Sequence, residues 1–126
     1  MTITQINTIT AFVADQDKAK EFYTGVLGFA VRRDMVMGEN RWLEVAPGEA
    51  GAAIVLHKPF PGASAGTLSG VILGSNDVDA VAARLREAGA VVDGPDDLPW
   101  GRQATFADPD GNSFVLQAPP VPDRQQ

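Results

Sequence analysis

The chain has 126 residues, 44% hydrophobic and 21% charged, which bounds it to one compact domain or two half-domains sharing a core. Its formal charge of −6 speaks against nucleic acid and anionic membrane as partners and mildly favours a cationic or neutral ligand. The absence of cysteine excludes a disulfide frame, a thiol nucleophile and a thiolate metal site. No run approaches the roughly 18 apolar residues of a membrane span, and the first five residues lack the basic and apolar regions of a signal peptide, so a cytoplasmic protein is expected.

Residues 6–13 alternate and are rich in β-branched side chains, which predicts a strand. Asp15 then offers a carboxylate to the first N–H groups of a helix. Ala19, Phe22, Tyr23 and Val26 follow at i, i+3, i+4 and i+7 as one apolar face, and Gly28 supplies the stop. Strands are predicted over 29–35, 41–46 and 52–58, separated by a turn at Gly38-Glu39-Asn40 and a loop over 47–51. Residues 59–66, with two prolines and two glycines, read as a linker. A strand over 67–75 precedes a second helix, capped by Asn76, with Asp79 in its first turn and Val78, Val81, Ala82 and Leu85 as its stripe. Gly89 ends it. A strand over 90–93, a loop over 94–101 containing Trp100, and a strand over 102–107 come next. Asp108-Pro109-Asp110-Gly111 is a turn, in which both carboxylates serve as turn formers. A strand over 112–118 and a disordered tail over 119–126 close the chain.

The chain therefore says one thing twice. Asp15 and Asn76, and Gly28 and Gly89, are each 61 positions apart. The element order is βαβββ followed by βαβββ, and consecutive strands after each helix argue for an α+β fold with largely antiparallel pairing.

The residues Phe12-Val13-Ala14-Asp15-Gln16-Asp17-Lys18-Ala19-Lys20-Glu21-Phe22-Tyr23 and Val26-Leu27-Gly28-Phe29 carry a resemblance. So do Arg41-Trp42-Leu43-Glu44-Val45 and Asp108-Pro109-Asp110-Gly111-Asn112-Ser113-Phe114. Together they resemble the vicinal oxygen chelate superfamily, which includes glyoxalase I, extradiol dioxygenases, fosfomycin-resistance enzymes and bleomycin-resistance binding proteins. The likeness runs from about residue 4 to 117. It implies a single glyoxalase/bleomycin-resistance-like domain: module one over about 4–58, the linker 59–66 and module two over about 67–118. The two modules would form curved mixed sheets around a cup-shaped cavity, and the family suggests a homodimer. The combined motifs are specific for the fold and not for a reaction.

The resemblance also implies four metal-ligand positions, which fall on Thr8, near Val55, near Gly70 and on Val115. Valine and glycine side chains carry no donor, and a threonine hydroxyl is a weak one. A two-residue slip keeps the same strand face and would bring in His57 or Gln117, which still leaves two positions short. No metal and no cofactor are expected. His57, the only histidine, could serve as a general base or as a hydrogen-bonding group. Trp42 and Glu44 share a face opposite Leu43 and Val45, which sets an aromatic wall beside a carboxylate and suits a flat or cationic ligand. Trp100, held between Pro99 and Gly101, suits a pocket mouth, and alternation favours Gln103 over Arg102 as the inward residue.

The candidate ligand-binding set is thus Thr8, Trp42, Glu44, Val55, His57, Trp100, Gln103 and Val115, with no catalytic residue assigned. The leading reading is a metal-independent protein that binds a small aromatic or cationic compound, with drug sequestration as the nearest model. A glyoxalase- or dioxygenase-like enzyme with a rebuilt metal site stands as the alternative. A metal-free enzyme using His57 as base and a regulatory partner with an unused cavity stay open beside it.

Overall fold

The computed structural model describes residues 2–118, so the tail predicted over 119–126 lies outside the described residues. By its contacts the chain divides into two units. Among the described residues, unit one runs to Leu68 and includes Asp108–Asn112, and unit two comprises Ser69–Ala107 and residues 113–118.

Unit one carries β1 (Thr8–Phe12), α1 (Gln16–Glu21), β2 (Ala30–Met37), β3 (Asn40–Ala46) and β4 (Ala53–His57). The sheet order is β1-β4-β3-β2. β1 and β4 are parallel, and the other pairs are antiparallel. Leu43 and Val45 alternate with Trp42 and Glu44, and both apolar side chains are fully buried. Each such burial contributes about 1.5–3 kcal/mol. β4 lies between β1 and β3, and all five of its residues are buried.

Asp15 caps α1, its carboxylate accepting from the Lys18 N–H at 3.1 Å. The helix does not run unbroken to Gly28, as the stripe predicted. After Glu21 it widens into a single π turn over Phe22–Val26, with the Leu27 N–H bonded to the Phe22 carbonyl. Phe22 and Tyr23 stay on the inward face that the stripe assigned them, and both are buried. Gln16 is a buried polar residue that the stripe did not reveal. Its Nε2 donates to the carbonyls of Arg41 at 3.0 Å and Leu56 at 2.8 Å, which ties α1 to β3 and β4.

The Asp108–Asn112 turn is built around one buried carboxylate. Asp108 Oδ1 accepts from the N–H groups of Asp110, Gly111 and Asn112 at 2.9–3.0 Å. Its Oδ2 accepts from the Tyr23 hydroxyl at 2.7 Å and from Asn112 Nδ2 at 2.9 Å. Burial, and then the charge of Asp108, push the Tyr23 hydroxyl far above the ordinary tyrosine pKa. Gly66 passes so close to this turn that a Cβ there would stand 2.0 Å from the Asp110 carbonyl oxygen, and its φ of +80° is one that L side chains rarely adopt.

Unit two repeats the order with β5 (Val71–Gly74), α2 (Val78–Glu87), β6 (Val92–Leu98), β7 (Gly101–Ala107) and β8 (Ser113–Gln117). Its sheet runs β5-β8-β7-β6, again with one parallel pair, β5 and β8. Three expectations are corrected here. The α2 cap is Asp77, not Asn76: its carboxylate accepts from the Ala80 N–H at 3.0 Å, while Asn76 stays outside the turn. Residues 67–70 are not strand, since pairing with β8 begins at Val71. The stretch 94–98 is strand and not loop. β6 is an edge strand, and its register shifts between Asp93 and Asp96, so Pro95 sits at an irregularity where the missing N–H costs no ladder bond.

Matching ion-pair knots brace both sheets. Arg41 on β3 binds Asp34 on β2 with two nitrogens and Asp17 on α1 with the third, and Lys20 adds a contact to Asp34 at 2.9 Å. Arg102 on β7 likewise binds Asp79 on α2 with two nitrogens and Asp97 on β6 with the third. The Arg41 and Lys20 hydrogen bonds hold the Asp34 carboxyl well below the usual carboxylate range.

Tyr23→Phe should cost about 1.5–3 kcal/mol, the worth of a hydrogen bond to a charged group, read as a lower urea midpoint at unchanged slope. Tyr23 is the only tyrosine, and its pKa is raised on folding. Its contribution is therefore complete below the unfolded value of about 10 and falls away above it. The stability gap between wild type and Tyr23→Phe should narrow as pH rises past about 10. Asp34 shows the opposite sign. Its depressed pKa gives stability above the unfolded value of about 4, lost on further acidification. The gap between wild type and Asp34→Asn should be widest near neutral pH and close in acid; a gap unchanged down to pH 2 would contradict the pairing.

Candidate functional site

The face of the first sheet opposite Leu43 and Val45 carries the candidate site. Register places Thr10, Val55, Glu44 and Arg33 in one row across β1, β4, β3 and β2. An open cleft of about 750 Å³ lies over part of this face, within the range of small-molecule sites. Thr8, Trp42 and Glu44 line it, as do Gln5, Asn7, Arg32, Arg33, Glu49 and Gly51.

Trp42 does not move independently of Glu44. Its indole Nε1–H donates to Glu44 Oε2 at 2.6 Å, a charge-assisted bond that fixes the ring plane against the strand. Beyond Trp42 an aromatic row continues: the His57 ring lies 6.2 Å from Trp42 and 4.6 Å from Phe60, and Phe60 meets Phe12 edge-on at 5.6 Å.

The two arginines come from a backbone irregularity. Neighbours on a regular strand point to opposite faces, yet Arg32 and Arg33 both line the cleft. The pairing register of β2 shifts between Val31 and Arg33, and such a bulge re-aims one side chain. The two then do different work. Arg32 spends its whole guanidinium on the β3–β4 loop, donating to the carbonyls of Gly48, Ala50 and Gly51 at 2.7–2.8 Å. That clamp positions Glu49 and Gly51 at the cleft edge. The Arg33 side chain makes no hydrogen bond or ion pair among the described residues.

The other candidates do not line the cleft, although Val55 and His57 share its sheet face. Val55 is fully buried in β4. His57 is 6% exposed. Its Nδ1–H donates to the Lys58 carbonyl at 2.6 Å, and its Nε2 meets the Asn40 side-chain amide at 2.8 Å, so both ring nitrogens are engaged. In unit two Trp100 is 53% exposed and its Nε1–H donates to Gln103 Oε1 at 3.0 Å, an oxygen that also accepts from Gln117 Nε2. Val115 pairs with Ile72 and Thr105 in mid-sheet. Phe12, Phe60, Arg32 and Arg33 escaped the sequence reading. The first two sit in a strand end and a proline-rich linker, and the arginines are brought together by the bulge.

The residues present do not fit a divalent ion at the four positions that the resemblance implied. Val55 and Val115 carry no donor atom, Gly70 has no side chain, and among the described residues no three His, Cys, Asp or Glu side chains form a metal-binding group. None of the helices among the described residues is long and apolar enough to cross a membrane.

Residues 5–116 match the family described as the Glyoxalase/Bleomycin resistance protein/Dioxygenase superfamily. The chain belongs to this family. It is 35% identical over 118 residues to the uncharacterized protein YetH of Bacillus subtilis (strain 168), covering 91% of this chain and 98% of YetH. The crystal structure of TnmS3, an antibiotic binding protein from Streptomyces sp. CB03234, superimposes with a TM-score of 0.87 at 46% identity, covering 94% of this chain and 98% of TnmS3. A glyoxalase/bleomycin resistance protein, also from Streptomyces sp. CB03234, matches with a TM-score of 0.80 at 46% identity over 90% of this chain and 99% of its own. The two-sheet α+β architecture is that of the family.

The Arg32 clamp has a direct readout. In Arg32→Ala the backbone order parameters of residues 48–51 should drop from the rigid range, about 0.85, to below about 0.6, while those of β3 and β4 stay unchanged. Unaltered order in the loop would mean that the three carbonyl bonds do not hold it.

Proposed function

We propose that this chain is a metal-independent binding protein that holds a flat aromatic small molecule, of the kind represented by antibiotics, in the cleft of its first sheet. The observation that carries this reading is the Trp42–Glu44 pair. An indole locked at 2.6 Å by a neighbouring carboxylate is a pre-oriented stacking surface at a cleft wall, and a surface ordered before binding loses little entropy on binding. The likeness to TnmS3, described as an antibiotic binding protein, supports the same ligand class. A sequestering role needs affinity and no turnover, which agrees with a cleft that holds neither a metal-donor set nor a histidine with an unengaged nitrogen. Trp100, Gln103 and Val115 would belong to a separate surface of unit two. Pairing of two copies, expected from the family, is part of this reading, and light scattering at micromolar concentration should give twice the chain mass.

Calorimetric titration against a panel of flat aromatic antibiotics and their simple polycyclic fragments should show saturable binding by at least one member in chelator-treated protein. Trp42→Ala should weaken it tenfold or more, about 1.4 kcal/mol or above. Binding that survives Trp42→Ala undiminished, or a panel in which no member binds, would sink the proposal.

A further inference from the structure

Arg33 stands directly across from Glu44 on the neighbouring strand. Opposite charges at such a position ordinarily pair. Here they do not: Glu44 is bound to the Trp42 indole, and Arg33 makes no ion pair among the described residues. The other carboxylates near it are also accounted for. Asp34, the next residue along β2, is held by Arg41 and Lys20. Glu49 rides on the loop that Arg32 clamps and stays beyond ion-pair distance. The cleft therefore contains one committed guanidinium and one uncommitted guanidinium, and the uncommitted one lines the same cleft as the fixed indole.

A guanidinium is planar, permanently charged and carries a fork of donors that matches a carboxylate or two adjacent oxygens. Left without a protein partner in a ligand cleft, it is a recognition group for an oxyanion. The formal charges lining the cleft balance, with Arg32 and Arg33 against Glu44 and Glu49. The net field thus favours neither sign, and the position of the unpaired charge decides. Building on the binding reading above, we propose that Arg33 is the specificity-determining residue and that the ligand is a flat aromatic compound bearing an acidic oxygen, a carboxylate or phenolate, which docks on Arg33 while its ring system lies against Trp42. This reverses the preference for cations that the net charge of the whole chain suggested.

Three probes that share one ring system separate the possibilities: 1-naphthoate, 1-naphthylmethylammonium and 1-naphthalenemethanol, titrated into 15N-labelled protein with the Trp42 indole N–H resonance as reporter. Naphthoate should bind at least tenfold tighter than the ammonium compound. Arg33→Ala should erase that advantage, Arg33→Lys should restore part of it, and the neutral alcohol should bind all three proteins alike, which also shows that the variants are folded. The naphthoate advantage should shrink as salt is raised. Equal affinity for the anion and cation, a preference for the cation, or an Arg33→Ala protein that still favours naphthoate would overturn the role of Arg33 while leaving the cleft a binding site. Failure of all three probes to shift the Trp42 resonance would overturn the binding reading itself, and this inference with it.

Discussion

The fold of unit one hangs on the Asp108 carboxylate. A buried charge is costly unless its lone pairs are satisfied, and this one accepts five hydrogen bonds, three from its own turn and two from the Tyr23 hydroxyl and Asn112. Two of the donor residues also bind elsewhere. Asn112 donates to the Phe12 carbonyl at the end of β1 and accepts from the Leu68 N–H. Asp110 accepts from the Ala14 N–H, one residue before the α1 cap. One turn thereby fixes where β1 stops, where α1 begins and how the chain passes through residues 66–68. Gly66 must lack a side chain because the turn occupies that space.

Much of this was visible in the sequence, residue by residue, but the connections were not. Asp108-Pro109-Asp110-Gly111 reads as a turn, and Tyr23 reads as core from the helical stripe. Nothing local shows that the hydroxyl of one closes the carboxylate of the other, because 85 positions separate them. The second helix cap shows a finer limit. Asn76 and Asp77 are both competent caps, and the choice between them is made by which side chain meets the Ala80 N–H, a matter of backbone direction. Pro95 suggested a loop on propensity alone. Edge-strand pairing with β7 overrode it, because an edge tolerates an irregularity that a central strand would not.

The site divides along the same line. Trp42 and Glu44 were legible because β3 alternates cleanly and Leu43 and Val45 declare the buried face. Arg32 and Arg33 were not, since period-two reasoning assigns neighbours to opposite faces. Only the register shift in β2 sets both beside the cleft. His57 looked like the obvious chemical group on composition, as the single imidazole. In place, its two nitrogens are engaged and its ring serves as one member of an aromatic row.

The internal repeat separates scaffold from site. Arg41 and Arg102 are 61 positions apart, and each ties a helix aspartate to an aspartate on the edge strand. The bracing is thus present in both copies. One residue further along each strand the copies part: Trp42 in β3 answers to Gln103 in β7, and at the next inward position Glu44 answers to Thr105. Among the described residues the indole–carboxylate pair stands only in the first unit. In the second, the indole is supplied by Trp100 from the loop, and an amide oxygen accepts from it. The framework is duplicated, whereas among the described residues the indole–carboxylate pair stands in one copy. Each knot joins a sheet to its own helix, so the bracing recurs with the framework, whereas the proposed binding surface is not needed for it.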